Sequence, residues 1–268
     1  MTEPGIKPIA WLPLGVVVVV LIGAATLFMT VGTANVETFI AVQRLTRPLP
    51  DTFWAMVTIC GTGVVTFSLL SPTLRSRPRW YAAGLASAAM AGLYANGLKR
   101  LFALPRPASV LDASQLHVIG DTLHANSFPS GHSVTAFTLA AIVVFASRTP
   151  LRAAAWAVPL ALLVAVSRIA VGAHWPADLA AGAAGGWVCG ALGVMVVMRW
   201  RVWNTINGLR VMGLVSIGVG ISLCIVDLGY PLAIPLQRVA AVVAIVAGGA
   251  TVLWPRLDPL LPWTRAVE

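Results

Sequence analysis

The chain has 268 residues, of which 58% are hydrophobic and only 10% are charged, and its mean hydropathy is +0.86. Soluble globular domains carry roughly a quarter charged residues, so the composition excludes an ordinary soluble domain. The formal net charge is +9. Because Lys and Arg collect on the cytoplasmic side of membrane proteins, this excess predicts no nucleic-acid partner.

Apolar runs of membrane-spanning length recur along the chain and predict an all-α, polytopic bundle of about eight transmembrane helices. The predicted spans are roughly 9–31, 53–70, 80–102, 130–146, 153–171, 175–198, 211–228 and 236–254. No small-residue cleavage site follows the first run, so we expect a span there rather than a removable signal peptide. Three glycines at four-residue spacing in the sixth span, Gly182, Gly186 and Gly190, predict close helix packing.

The basic residues predict which way the bundle is inserted. Eight spans put both termini on one side, and the loops and termini of that side contain eleven of the eighteen Lys and Arg residues: Lys7, Arg75, Arg77, Arg79, Arg148, Arg152, Arg199, Arg201, Arg210, Arg256 and Arg265. The positive-inside rule therefore predicts cytoplasmic termini. The polar loop at 104–127 is then expected to face the outside, or the periplasm of a Gram-negative cell.

Three cations converge on this outer face. Lys99 ends the third span, Arg106 follows it, and Arg168 ends the fifth. Charges at membrane depth are costly and are usually paired, yet the chain has only nine acidic residues. We therefore expect the three cations to bind an external anion such as a phosphate, with Arg giving bidentate contacts and Lys a point charge.

The stretch Phe128-Pro129-Ser130-Gly131-His132 opens the fourth span. The start of a helix offers free backbone N–H groups and a positive dipole end, which favour a phosphate. Ser130 is expected to act both as the helix N-cap and as a donor to the anion. Ser130 and Gly131 thus join the three cations in the predicted phosphate-binding set.

Two histidines suit the chemistry of phosphoryl transfer. His174 and Asp178 are four residues apart at the start of the sixth span, so they share one helix face. Asp178 can hold one ring nitrogen of His174 as N–H and leave the other as a nucleophile. His132 can then protonate the leaving oxygen.

These residues resemble the type 2 phosphatidic acid phosphatase (PAP2) family in order and spacing: Lys99-x6-Arg106-Pro107, Pro129-Ser130-Gly131-His132, and Ser167-Arg168-x5-His174-x3-Asp178. The resemblance implies a six-span catalytic core over residues 1–199, with residues 200–268 adding two spans and a short tail. It also implies a phosphohistidine intermediate at His174, His132 as general acid, and no metal or other cofactor.

The expected function is therefore a phosphatase of lipid phosphates or diphosphates on the outer face of the cytoplasmic membrane. Undecaprenyl diphosphate is the favoured substrate, because of family frequency and the outward site. Phosphatidate, phosphatidylglycerol phosphate and lipid A 1-phosphate are alternatives. A phosphotransferase using the same histidine, and an anion transporter, stay open as rivals. The expected partners are the lipid substrate and membrane lipids, and the sequence carries no signal for an oligomeric state.

The outer loop contains His117, Asp121 and His124, which are metal-ligand types. Polar loop residues usually face water, so we expect a lid or a headgroup contact here rather than a metal site. The three cysteines lie far apart in apolar stretches, which predicts neither a disulfide nor a zinc site.

Overall fold

The computed structural model describes residues 11–30 and 33–256, which form ten α-helices and no strand. The helices are α1 (Trp11–Thr30), α2 (Ala34–Thr46), α3 (Asp51–Ile59), α4 (Gly63–Leu70), α5 (Pro78–Phe102), α6 (Gly131–Phe145), α7 (Pro150–Ala170), α8 (Pro176–Arg199), α9 (Ile206–Ile225) and α10 (Ile234–Leu253). The predicted all-α class is confirmed. The ends of the first predicted span, and Lys7 and Arg265, lie outside the described residues.

The number of membrane spans differs from the sequence prediction. Within the described ranges, α7, α8, α9 and α10 are long and apolar enough to cross a membrane, and two bent helix pairs raise the number to six. The predicted eight is therefore not confirmed. The mean hydropathy of α5 is lowered by its Gly, Ser, Tyr and Asn residues and by the basic residues near its two ends, and α6 has only 15 residues. At 1.5 Å per residue α6 covers about 22 Å, less than the roughly 30 Å hydrocarbon core.

The predicted second span is broken rather than continuous. Helices α3 and α4 are bent by 77° around a break of three residues, Cys60 to Thr62. The hydroxyl of Thr66 donates to the Cys60 carbonyl at 2.7 Å, which satisfies one backbone group that the break leaves without a helical partner. A Cβ on Gly61 would lie 2.8 Å from Cβ of His132, so only a glycine allows this approach. The break therefore brings the α3–α4 pair against the start of α6.

Helices α6 and α8 pack closely through the glycine face that the sequence predicts. A Cβ on Gly182, Gly186 or Gly190 would lie 2.6, 2.3 or 2.4 Å from a backbone oxygen of α6 or of its N-cap. The hydroxyl of Thr138 donates to the Gly186 carbonyl at 3.1 Å across the same contact. This packing holds the first turns of α6 and α8 side by side.

The C-terminal helices α9 and α10 form an antiparallel pair that packs on α4. A Cβ on Gly248 would lie 2.5 Å from the Gly213 oxygen, so glycines allow a close crossing here too. Gln237 donates at 2.8 Å to the carbonyls of both Leu223 and Val226, which ties α10 to the end of α9. The division of the chain at residue 199 stays a prediction from the sequence.

We predict that Gly186→Ala lowers the melting temperature of the detergent-solubilised protein by several degrees. Its Cβ would overlap the Val134 carbonyl at 2.3 Å, and overpacking costs about 1–3 kcal/mol. The matched control is Gly97→Ala on α5, where a Cβ meets nothing within 4 Å. Because alanine favours a helix over glycine by about 1 kcal/mol, the control should be neutral or stabilising. Equal effects of the two substitutions would contradict the close α6–α8 contact.

Candidate active site

The predicted site residues come together where the ends of α5 and α7 meet the starts of α6 and α8. The N–H of Ser130 donates to the Asp178 carbonyl at 3.0 Å, which joins the starts of α6 and α8. The indole N–H of Trp175 donates to the Pro105 carbonyl at 3.0 Å, which joins the segment after α5 to the start of α8. The peptide bond between Phe128 and Pro129 is cis.

His174 and Asp178 form a buried hydrogen-bonded pair. Nδ1 of His174 lies 3.2 Å from Oδ2 of Asp178, and both side chains are almost fully buried. The same carboxylate oxygen accepts from the backbone N–H of Trp175 at 2.9 Å and from the hydroxyl of Ser127. Because a carboxylate only accepts, the proton of the imidazole lies on Nδ1, and Nε2 is the nitrogen that carries the lone pair.

Nε2 of His174 faces a cation. It lies 3.1 Å from Nη1 of Arg106, a side chain that is only 6% exposed. The other contacts of Arg106 are backbone carbonyls: Nη1 to Ala173 at 2.8 Å, Nε to Ala125 at 2.8 Å and Nη2 to Asn126 at 3.3 Å. Burial, and then the charge of Arg168, lower the pKa of Arg106 to about 10, so it stays charged at neutral pH.

His174 itself is neutral in this environment. Burial is the main cause, and the charges of Arg106, Arg168 and Lys99 add to it; together they lower the pKa of His174 well below the usual 6.5. The contact with Asp178 is therefore a hydrogen bond from a neutral imidazole rather than an ion pair. A neutral imidazole with its Nε2 lone pair exposed to a cation is the form that a nucleophile requires.

Arg168 is the second buried arginine and is held by two hydroxyl groups. Its Nη1 lies 2.6 Å from Oγ1 of Thr58 and 2.6 Å from the hydroxyl of Tyr230. Across the described part of the chain, no carboxylate forms an ion pair with Arg106, Arg168 or Lys99 within 4 Å. The positive charge of the site is therefore left for an anion.

The first turn of α6 supplies the second histidine. The Ser130 hydroxyl caps the helix by accepting from the Ser133 N–H at 3.3 Å. Nε2 of His132 is buried and has no hydrogen-bond partner among the described residues. A Cβ on Gly131 would meet nothing within 4 Å, so open space lies beside this turn.

That space is a cavity of about 440 Å³ between α4, α5 and α6. Its polar end contains Lys99, Asn96, Gly131 and His132. Away from these groups it is mostly apolar and is lined by side chains that include Phe67, Leu70, Leu139 and Ile142. The cavity thus extends from Lys99 and His132 into a mostly apolar channel, and Arg106, Arg168 and His174 are not among its lining residues.

The polar loop at 104–127 is packed onto the bundle at several points. Gln43 of α2 donates at 2.7 Å to the His117 carbonyl and accepts from its N–H at 3.0 Å, while the His117 ring contacts Asp51 at 2.9 Å. His124 contacts Ser109 instead. No cluster of three metal-ligand types occurs in residues 11–30 and 33–256.

Sequence reasoning missed Ser127, Thr58 and Tyr230, which hold Asp178 and Arg168. Ser127 directly precedes the Phe128-Pro129-Ser130-Gly131-His132 stretch, and this position in the sequence is the one signal that points to a role in the site. Thr58 and Tyr230 are 110 and 62 residues from Arg168 along the chain. Only the folded arrangement reveals them.

Comparison with known proteins identifies the family. The model of the PAP2 superfamily matches residues 80–205. The crystal structure of Aquifex aeolicus LpxE superposes with a TM-score of 0.54 and 30% identity, covering 60% of this chain and 94% of that one. This chain belongs to the PAP2 superfamily and is a multi-pass membrane protein.

Curated relatives match over shorter regions. A lipid A 1-phosphatase of Rhizobium etli is 39% identical over 99 residues, which is 36% of this chain and 41% of the relative. A decaprenylphosphoryl-5-phosphoribose phosphatase of Mycobacterium tuberculosis is 38% identical over 120 residues, 44% of this chain and 61% of the relative. The matched regions thus span less than two thirds of either relative. Both relatives are phosphatases by name.

We predict that His174 stays neutral well below pH 6.5 and that Arg106→Gln raises its pKa toward that value. Removing the adjacent positive charge makes protonation of His174 less unfavourable. Histidine-selective ¹⁵N NMR in detergent, assigned with His174→Gln, measures the titration. Arg44→Gln removes an exposed arginine and should leave the pKa unchanged. A wild-type His174 that titrates near 6.5 would contradict the described environment.

Proposed function

We propose that the protein is a membrane phosphatase of lipid phosphates or diphosphates that acts through a phosphohistidine at His174. One observation carries this proposal: Nε2 of His174 lies 3.1 Å from a buried arginine, while Asp178 holds the opposite ring nitrogen. Nη1 of Arg106 donates to the lone pair of Nε2, and a phosphate oxygen that accepts from Arg106 instead would bring phosphorus next to this lone pair. In-line attack on a phosphoryl group needs this combination of nucleophile and cation.

In the first step, Nε2 of His174 attacks phosphorus and the bond from phosphorus to the lipid oxygen breaks. The lipid oxygen takes a proton from His132, whose Nε2 is buried and unpartnered within the described ranges. His132 is protonated for this step only with the phosphate bound, because the negative charge of the phosphate offsets the neighbouring cations that otherwise favour a neutral ring. Arg106, Arg168 and Lys99 stabilise the charge on the equatorial oxygens. The proton on Nδ1 of His174 stays there, because Asp178 balances the charge of the phosphoimidazolium.

In the second step, water attacks the phosphohistidine and the nitrogen–phosphorus bond breaks. His132, now neutral, takes a proton from the water, which releases inorganic phosphate and restores both histidines. The Ser130 hydroxyl and the free N–H groups of the first turn of α6 complete the cradle of the phosphate. Attack by the hydroxyl or phosphate of a second lipid would make the protein a phosphotransferase.

A lipid substrate is supported by the cavity between α4, α5 and α6. Lys99 and His132 lie at its polar end, and mostly apolar side chains line the rest. A phosphate bound at the cationic end would place its apolar chain in this channel. The transfer of each CH₂ group out of water contributes about 0.8 kcal/mol, so a chain that fills the channel adds substantial affinity.

Undecaprenyl diphosphate is our first choice of substrate, with lipid A 1-phosphate, phosphatidylglycerol phosphate and phosphatidate as the others. The relatives act, by name, on lipid A and on a decaprenyl-linked phosphoribose. We propose that the site faces outward from the cytoplasmic membrane, because the positive-inside rule places most basic loops on the other side. Purified protein assayed on the four lipids side by side, with free phosphate separated from phosphorylated acceptor lipid, tests substrate and reaction together.

We predict that His174→Ala reduces phosphate release to the uncatalysed rate, because the nucleophile is lost. His132→Ala should lower kcat by about 10²–10⁴-fold, and least for substrates with acidic leaving groups, because these need no proton. His124→Ala removes an exposed loop histidine and is the matched control. Release of phosphate from radiolabelled substrate measures the rate of each variant. An acid-labile radioactive label on the wild-type protein, absent from His174→Ala, measures the phosphohistidine.

Full activity of His174→Ala would overturn the proposed chemistry. Complete loss of wild-type activity in EDTA would also contradict it, since every step uses side chains of the chain itself. Wild-type protein that binds all four lipids without turning any of them over would favour the transporter alternative.

We predict that Gly92→Leu weakens binding of long-chain lipid phosphates and spares short-chain ones. Gly92 lines the cavity, and a Cβ there meets nothing within 4 Å, so the leucine would fill the channel. Displacing about two CH₂ groups raises KM roughly tenfold. Gly97→Leu lies on the same helix outside the cavity and serves as the control. An equal change of KM for both chain lengths would exclude the channel as the chain-binding region.

A further inference from the structure

The connection between α9 and α10 reaches into the candidate active site. Tyr230 lies in this connection, and its side chain is buried, with 9% exposed. Its hydroxyl accepts a hydrogen bond of 2.6 Å from Nη1 of Arg168. The family model matches residues 80–205, so Tyr230 comes from outside the matched region. A segment beyond the family motifs thus touches one of their cationic residues.

The two hydroxyl contacts use all the donors of one guanidinium nitrogen. Nη1 carries two hydrogens, and these point to Oγ1 of Thr58 and the hydroxyl of Tyr230. Because the guanidinium is planar, two bonds from Nη1 define the plane of the whole group. Tyr230 and Thr58 therefore determine the direction of the opposite edge, which carries Nε and Nη2.

That opposite edge has no partner in the described part of the protein. Nε of Arg168 is buried and makes no hydrogen bond there, and Nη2 makes none either. A buried donor without an acceptor costs about 1–3 kcal/mol. The Nε–Nη2 edge is the fork that binds two oxygens of a phosphate side by side. The Nε–Nη2 edge of Arg168 thus offers two parallel N–H donors to two oxygens of a tetrahedral anion.

Tyr230 is itself held in place by contacts with the outer loop. The N–H of Asp121 donates to the Gly229 carbonyl at 3.0 Å. Gly120 and Gly229 have φ values of +81° and +74°, and a Cβ on Gly120 would lie 2.3 Å from the Gly229 oxygen. The side chain of Asp227 accepts from the Gly229 N–H at 2.8 Å. This tight turn anchors the connection and orients the phenol ring.

We propose that Tyr230 is a positioning residue of the phosphate site, which the C-terminal helix pair supplies. Its hydroxyl orients Arg168 so that the Nε–Nη2 edge binds the phosphoryl oxygens. This inference rests on the proposed function, and it assigns the α9–α10 pair a part in that function. A purely structural role would predict only a loss of stability when the hydroxyl is removed.

The test is Tyr230→Phe, which removes one oxygen atom and keeps the ring. We expect the inhibition constant of orthovanadate, an anion of phosphate shape, to rise about tenfold and kcat/KM to fall by a similar factor. Tyr94→Phe is the matched control, because the Tyr94 hydroxyl donates to the Ala181 carbonyl at 2.9 Å and makes no hydrogen bond with Arg168. It should change the melting temperature without changing vanadate inhibition.

A double-mutant cycle with Arg168→Lys separates positioning from stability. Lysine has no planar edge to orient, so adding Tyr230→Phe to Arg168→Lys should change vanadate inhibition less than twofold. Additive effects in the cycle, or unchanged vanadate inhibition in folded Tyr230→Phe, would overturn the proposal. If Tyr230→Phe does not fold, 4-aminophenylalanine at position 230 keeps the shape of tyrosine but is a poor hydrogen-bond acceptor. The inhibition constant of orthovanadate should rise about tenfold in this variant too, and an unchanged constant would overturn the proposal.

The wild-type protein distinguishes the two levels of inference. Wild-type protein that neither turns over a lipid phosphate nor binds vanadate overturns the proposed function itself. Wild-type turnover with unaltered vanadate inhibition in the position-230 variants overturns only the role of Tyr230.

Discussion

The structure of the site depends on the burial of two arginines that form no ion pair with a carboxylate among the described residues. A buried charge costs several kcal/mol unless polar groups replace its water. Arg106 receives backbone carbonyls, and Arg168 receives the hydroxyls of Thr58 and Tyr230. These neutral acceptors stabilise the cations but leave their charge uncompensated. The site is therefore organised for an anion that comes from outside the chain.

The geometry around this charge follows from small residues at helix contacts. Gly182 allows the start of α8 to lie against Ser130, and Gly61 allows the broken α3–α4 pair to lie against His132. A side chain at either place would overlap its neighbour, since a Cβ would lie 2.6 Å from the Ser130 oxygen or 2.8 Å from Cβ of His132, and would push the helix starts apart. Hydrogen bonds of about 3 Å, such as that from Ser130 to Asp178, do not survive such a separation. Close packing in the bundle is thus a condition for the polar geometry at its end.

Local patterns predicted much of this arrangement, and distant contacts account for the rest. The motif residues lie at helix ends, where hydropathy and the Pro129-Ser130-Gly131 turn signal are strong. The bend at Cys60 to Thr62 lies inside an apolar run. Hydropathy reports how apolar a segment is but not the direction of its helix axis, so it does not predict the bend. Apolarity alone predicts a span at α6, whose 15 residues are fewer than the roughly 20 that a hydrocarbon core requires. Thr58 and Tyr230 act on Arg168 through folding alone, so no spacing rule reveals them.

The contact between Arg168 and Tyr230 also has a consequence for biosynthesis. The two residues are 62 positions apart, and two further helices, α8 and α9, are made between them. When α7 leaves the ribosome, Arg168 therefore lacks one of its two hydroxyl acceptors. Its guanidinium must donate to water or to a lipid headgroup until the connection after α9 has been synthesised and inserted. A helical hairpin that is made after α8 thus completes the environment of an arginine that was made much earlier.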